Sequence, residues 1–228
     1  MGKDFRSATS IPARVDLSQI LDIFGTTTKR TASERQAHLA KPSPPPGYGY
    51  DYFDNPAYIG YGGYRYDGRY RAAAERMRDQ FGLKPGSKIL EVGCAKGFIL
   101  YEFHVLGMDV TGLDASAYAI ANAKPEIRDR LQLHSSADLP FNEREFDFVL
   151  AKEVLPHLSP VDAIRLVREI MRVGRASFLE IQCANTLESA ELMKRWDQTH
   201  QTIRSESWWY ARLADIGYEG AFHCRELF

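Results

Sequence analysis

The stretch KILEVGCAKGFIL, residues 88–100, constrains what this chain can fold into more than any other. Ile89, Leu90 and Val92 make a short apolar strand, Gly93 and Gly97 bracket a turn, and Phe98 to Leu100 open a helix. Glycine at such a turn permits backbone angles other residues resist and lets a ligand approach the main chain. Glu91 adds an acid beside the turn, so the stretch predicts a nucleotide site. A dinucleotide fingerprint is G-x-G-x-x-G, but counting from Gly93 the second and third glycine positions hold Ala95 and Phe98. No G-x-x-x-x-G-K-[ST] loop is present in the sequence either.

From Tyr70 onward, helical and strand patterns alternate. YRAAAERMRDQFG reads as a helix closed by Gly82, and KILEVG as a buried strand; GFILYEFHVLG, ASAYAIANAK and PVDAIRLVREIMRVG follow as helices between the strands DVTGLD, LQLHSSA, EFDFVLAK and ASFLEIQC. Helices near 187–196 and 205–216 and a last strand YEGAFHC complete the series. The fold class predicted is α/β, a doubly wound and mostly parallel sheet of six or seven strands covered on both faces. Ligands in such sheets sit at the carboxyl ends of the strands, at the topological switch point.

The spacing E-x-G-x-x-x-G at Glu91, Gly93 and Gly97 resembles motif I of the class I S-adenosylmethionine (SAM) dependent methyltransferases, and later landmarks follow in the family's order. The resemblance covers about residues 70–220. It implies a Rossmann-like fold, SAM as cofactor, and methyl transfer as the activity. It assigns Glu91, Gly93, Ala95 and Gly97 to the cofactor turn, Asp114 and Ala115 in VTGLDAS to the ribose, and Asp138 in SSADLPF to the adenine amino group, with Ala137 and Leu139 beside the ring. Lys152, in FDFVLAKEVLPHL, falls near the methionine part. SAM carries no phosphate, so a turn flanked by carboxylates suits its ammonium and ribose. Asp114 also reads as a helix cap, Cys94 as a small turn residue, and Lys96 as a residue that crowds the cofactor or points to solvent.

For the acceptor side, a hydroxyl needs a base as well as positioning. His200 lies in WDQTHQTIRSESWWYARLADIGY, which is similar to a D-x-T-H segment of small-molecule methyltransferases of this class; His157 follows the fourth strand in LPHL. These two are the candidate catalytic residues, and no metal site is expected. Of Trp208 and Trp209, adjacent on one helix, one is expected in the core and the other toward the pocket.

YIGYGGYRYDGRY, residues 58–70, precedes the regular part and reads as a tyrosine-rich lid within residues 48–70. Tyr64, Tyr66 and Arg69 are the expected cofactor contacts, through ring faces for the sulfonium and polar groups for the carboxylate, and Gly60, Gly62 and Gly63 are the hinge. Residues 1–47, with VDLSQILDIF as a short helix and PSPPPG as a stiff connector, read as a flexible arm or a contact for a second copy in a homodimer. The methyltransferase domain is then 71–228. GYGGYRYDGR followed by LKPGSKILEVGCAKGF also looks like a bacterial subgroup associated with surface sugars and secondary metabolites.

Composition narrows the partners. The 228 residues carry 29 Lys and Arg against 30 Asp and Glu, a formal charge of −1, which supplies no field for a polyanion. A small-molecule acceptor is expected, without nucleic acid or membrane. Cys94, Cys183 and Cys224 form neither a CxxC pair nor a disulfide framework, and MGKDFRSATS lacks the apolar run of a signal peptide, so the cytoplasm is the expected location. Two other readings stand beside the first: a nicotinamide-binding oxidoreductase of similar topology, and a methyltransferase-like partner protein without catalysis.

Overall fold

The computed structural model describes Phe24 and residues 32–226. Six strands form one sheet: β1 (Lys88–Val92), β2 (Asp109–Asp114), β3 (Leu131–Leu133), β4 (Phe148–Lys152), β5 (Ser177–Cys183) and β6 (Ala221–Glu226). Their order is β3-β2-β1-β4-β5-β6, and every neighbouring pair is parallel. The expected Rossmann-like sheet is present, with six strands and no antiparallel seventh among the described residues. Chain order runs outward from β1 through β2 to β3 and then returns to β4. The switch point therefore lies between the carboxyl ends of β1 and β4.

The helices are α1 (Ala32–Leu39), α2 (Tyr50–Phe53), α3 (Arg71–Gln80), α4 (Phe98–Val105), α5 (Ala117–Ala121), α6 (Pro160–Val173), α7 (Leu187–Trp196) and α8 (Glu206–Asp215). Successive strand side chains go to opposite faces, and β4 shows the consequence. Phe148 and Leu150 join a core with Met77, Leu100 and Phe103 of α3 and α4, while Val149 and Ala151 join a second with Leu166, Ile170 and Trp209 of α6 and α8. Because both faces are covered, β4 carries an unbroken apolar run from Phe148 to Ala151, and β5 is buried along its whole length. Local signals agree with these ends: α6 starts at Ser159, whose Oγ accepts the Asp162 N–H at 3.2 Å, with Pro160 first in the helix and Gly174 after it.

The helix expected over 15–24 lies outside the described residues except for Phe24. That ring is buried, stacked on Phe178 at 6.2 Å between centroids. His38 of α1 is buried against Trp196 at 4.3 Å. The described parts of the expected arm thus pack on the domain of their own chain. No described helix is long and apolar enough to cross a membrane.

Candidate active site

The chain leaves β1 through three residues with positive φ: Gly93 at 73°, Ala95 at 49° and Gly97 at 69°. Gly93 and Cys94 donate their N–H groups to the Leu113 carbonyl at 2.8 and 3.0 Å, tying the turn to the end of β2. A Cβ on Gly93 would lie 2.8 Å from Val154, and one on Gly97 2.8 Å from Ile127, so close packing and backbone angle both require glycine. Asp114 braces the turn. Its Oδ2 accepts the Ala95 N–H at 2.6 Å and its Oδ1 the Ser116 N–H at 2.8 Å, leaving further lone pairs on both oxygens. The helix cap after β2 is Ser116, which accepts the Ala119 N–H, and Ala115 between them is exposed. Glu91 is buried, and its Oε2 has no partner among the described residues; burial pushes its carboxyl well above the usual range.

Lys96 neither crowds the turn's ligand side nor reaches solvent. It is buried, with its ammonium 2.6 and 2.8 Å from the two oxygens of Asp54 and 2.9 Å from the Tyr64 carbonyl. Asp54 also accepts the Tyr118 hydroxyl at 2.6 Å and the Tyr64 N–H at 3.0 Å. The tyrosine-rich segment is therefore stapled to the turn after β1. Tyr64 packs against Phe98 at 4.7 Å and against Tyr61 at 4.5 Å. Gly60 passes so close to α2 that a Cβ there would lie 2.4 Å from the Tyr52 carbonyl. Two expected contacts are committed elsewhere: Tyr66 donates its hydroxyl to Glu102 at 2.7 Å, and exposed Arg69 pairs with Asp67 at 2.5 Å.

Across the sheet, Ala137 and Leu139 are buried in the core beside Leu113. The Asp138 carboxylate between them is 56% exposed and pairs with Arg165 at 2.6 Å. Lys152, at the carboxyl end of β4, pairs with Glu153 at 2.8 Å. Burial works against its charge, but the Glu153 and Glu180 carboxylates outweigh it and raise its pKa. Of the tryptophans, Trp209 is fully buried, and Trp208 lies half-buried beneath the Arg204 guanidinium at 5.7 Å.

The two candidate catalytic histidines come together. His157 ends the turn Leu155–His157 after β4, the same turn that presents Val154 to Gly93. Hydrogen bonds from Gln201 and Thr202 to the Pro156 carbonyl, at 2.8 and 3.0 Å, zip this turn to the loop before α8. His157 Nδ1 lies 2.7 Å from Thr199 Oγ1, which donates to Asp197 Oδ1 at 2.6 Å. Because Thr199 spends its proton on the carboxylate, His157 Nδ1 is the donor and Nε2 keeps a lone pair. Asp197 Oδ2 accepts the Tyr52 hydroxyl at 2.6 Å, and Tyr48 meets the His157 ring edge-on at 6.1 Å. His200 is buried with its ring 4.6 Å from that of His157, and its Nδ1 has no hydrogen-bond partner. Burial, then the neighbouring imidazole, hold His200 down at about 4, and burial lowers His157 against the pull of Asp197.

Sequence reasoning missed Tyr48, Tyr52, Asp54, Asp197 and Thr199 in this site. Asp197 and Thr199 stood in the WDQTH segment beside His200 and share its loop. Asp54 and Tyr52 carried no local signal.

Fold, glycine turn and switch point define an α/β protein of Rossmann-like architecture. Residues 90–177 match the family model of a methyltransferase domain. An uncharacterized methyltransferase of Synechocystis sp. is 31% identical over 96 residues, 42% of this chain and 45% of that protein. A ubiquinone biosynthesis O-methyltransferase of Rhodopseudomonas palustris is 35% identical over 82 residues, 34% of this chain and 32% of that protein. Sterol-type C-24-methyltransferases match over similar lengths. The match thus spans less than half the length of these relatives. The YcgJ protein of Bacillus subtilis superposes with a TM-score of 0.53 at 21% identity, over 62% of this chain and 66% of that one, a likeness of fold. Residues 90–177 are thus similar to a methyltransferase domain, and the fold is the one the YcgJ protein shares. The cofactor that this family implies, SAM, fits the residues present: two glycines with no room for Cβ, a buried carboxylate oxygen at Glu91 without a partner, and Asp114 with lone pairs to spare.

Proposed function

We propose that the protein transfers the methyl group of SAM to a small polar acceptor, a hydroxyl of a sugar or secondary metabolite. One observation carries this reading: next to the turn after β1, His157 presents a bare imidazole nitrogen, oriented by Thr199 and Asp197. An acceptor hydroxyl held there attacks the methyl carbon from behind. The oxygen–carbon bond forms as the sulfur–carbon bond breaks, sulfur keeps the electron pair as a thioether, and the hydroxyl proton passes to His157. The protein's main contribution is to fix that line and exclude water.

On this reading Glu91 receives the methionine ammonium and Asp114 the ribose hydroxyls, through lone pairs left after bracing Ala95 and Ser116. Ala137 and Leu139 flank the adenine, with Asp138 spent on Arg165. Lys152 faces the methionine end. Tyr64, stapled by Lys96 and Asp54, closes the cofactor from above. The similarity to an O-methyltransferase supports a hydroxyl acceptor. Action in the cytoplasm, and pairing of two chains through residues 1–47, belong to the same reading.

The test is thermal unfolding with SAM, S-adenosylhomocysteine or NAD, followed by transfer of labelled methyl to a panel of sugars and phenols. Stabilisation by SAM and its homocysteine product, with turnover lost in His157→Ala, supports the proposal. Stabilisation by NAD alone sinks it.

A further inference from the structure

His157, Asp197 and His200 each place a possible ligand atom within 4.8 Å of the other two. The polar atoms gathered here are ones that can serve as acceptors. Thr199 takes the Nδ1 hydrogen of His157, His200 Nδ1 has no hydrogen-bond partner, and Asp197 offers a carboxylate. His200 Nδ1 is buried and faces no donor among the described residues. A buried acceptor left unmatched is costly, and three converging on one point are matched by a cation.

We propose that His157, Asp197 and His200 bind a divalent first-row transition ion, with Zn2+ as the ion of choice. The inference rests on the reading of this cluster as the acceptor end only for the ion's role, not for its binding. Two imidazoles and one carboxylate suit such an ion better than Mg2+ or Ca2+, which prefer oxygen throughout. Zinc–ligand bonds of about 2.1 Å ask the three atoms to draw somewhat closer than they stand. The surroundings have the form that orients metal ligands: His157 Nδ1 is bonded to Thr199, and the carboxylate is held by the Tyr52 hydroxyl and the Thr199 N–H. Three protein ligands leave a coordination position open. An ion held there would take the acceptor's oxygen at that position and, as a Lewis acid, would make its hydroxyl easier to deprotonate. In the loaded protein His157 is thus a ligand, and in the ion-free protein it takes the proton.

The test is equilibrium dialysis of the full chain against micromolar Zn2+, with bound metal counted by elemental analysis, and a Co2+ titration followed by visible absorption. The expected result is about one ion per chain and a Co2+ spectrum of low coordination number. His157→Ala and His200→Ala each abolish the tight site, and Thr199→Val, which frees the His157 ring, weakens it roughly tenfold. Retained unfolding cooperativity shows that each variant folds. Zinc bound no better by the wild type than by the variant lacking both histidines overturns the inference. Failure of SAM to bind, with zinc still bound at one per chain, defeats the methyl-transfer reading and leaves this one standing.

Discussion

The Lys96 ammonium sits 2.6 and 2.8 Å from the two carboxylate oxygens of Asp54, joining the turn after β1 to a residue 42 positions earlier. The lysine side chain is 6% exposed and the aspartate 18%. Desolvation raises the Asp54 pKa, but Lys96 and the Tyr118 hydroxyl outweigh it and hold the carboxyl below its usual range. Breaking one side of a buried pair strands the other charge. Lys96→Met is therefore expected to cost about 2 kcal/mol, because Asp54 keeps Tyr118 and Tyr64 as donors. Asp54→Asn should cost more, since the more deeply buried lysine loses its counter-ion. Urea unfolding of both variants checks the order, and equal or reversed costs would refute the pairing as described.

Asp114 performs two tasks in this structure, bracing Ala95 at positive φ and offering lone pairs at the switch point. Asp114→Asn keeps one acceptor oxygen and turns the other into a donor that faces an N–H. Stability should fall by about 1–2 kcal/mol. SAM affinity should fall further, by roughly tenfold or more, because a charged acceptor to the ribose is lost. Calorimetric titration with S-adenosylhomocysteine separates the two effects. Unchanged affinity would move the ribose away from Asp114.

Legibility in the sequence followed the range of the physics. Strands buried on both faces are mostly apolar, and helices between them show a 3.6-residue period, so the succession of β1 to β6 was readable from local pattern alone. Gly93 and Gly97 were readable because only glycine tolerates that packing and those angles. Lys96 was not, since nothing in GCAKGF points to a carboxylate at Asp54. The same holds for Asp138, expected at the adenine, because Arg165 on a later helix pairs with its carboxylate. The approach of His157 to His200 and Asp197 was not legible, because the residues lie on two loops far apart in sequence. Here His157 and His200 are brought together by the zipping of two loops.

Glu180 of β5 is buried, its nearest cation Arg225 at 3.6 Å, and both carboxylate oxygens lack hydrogen-bond partners among the described residues. Burial, helped by Glu153, pushes it up from 4.5 to about 7. An acid whose pKa is higher folded than unfolded binds more protons in the folded state between those two values. Its contribution is therefore fully present below about 4.5 and lost as pH rises through about 7. Glu153 has the opposite sign: Lys152 and Arg225 overcome its burial and bring it to about 2, so its contribution fades only in acid. The stability of wild type relative to Glu180→Gln should thus decline by on the order of 2–3 kcal/mol from pH 4.5 to pH 8. Urea midpoints across that range measure it, and a flat difference would mean that Glu180 titrates normally.

Thr199 touches neither ring face of the histidines but connects His157 Nδ1, at 2.7 Å, with Asp197 Oδ1, at 2.6 Å. Valine has the same shape and no hydroxyl, so Thr199→Val removes the relay with little change in packing. His157 Nδ1 then loses its acceptor, the ring is free to turn or to move its hydrogen to the other nitrogen, and the bare nitrogen at the acceptor end is no longer fixed. The expected loss is one to two orders of magnitude in kcat, about 1.4 kcal/mol per order. SAM affinity should be unchanged, since Thr199 makes no contact with the turn of Gly93–Gly97. Thr199→Ser, which restores the hydroxyl, should recover most of the rate, something a purely structural role would not produce. The pH profile gives a further check: with His157 unheld, the acid limb should shift. If Thr199→Val retains full turnover, the acceptor's proton does not pass through His157.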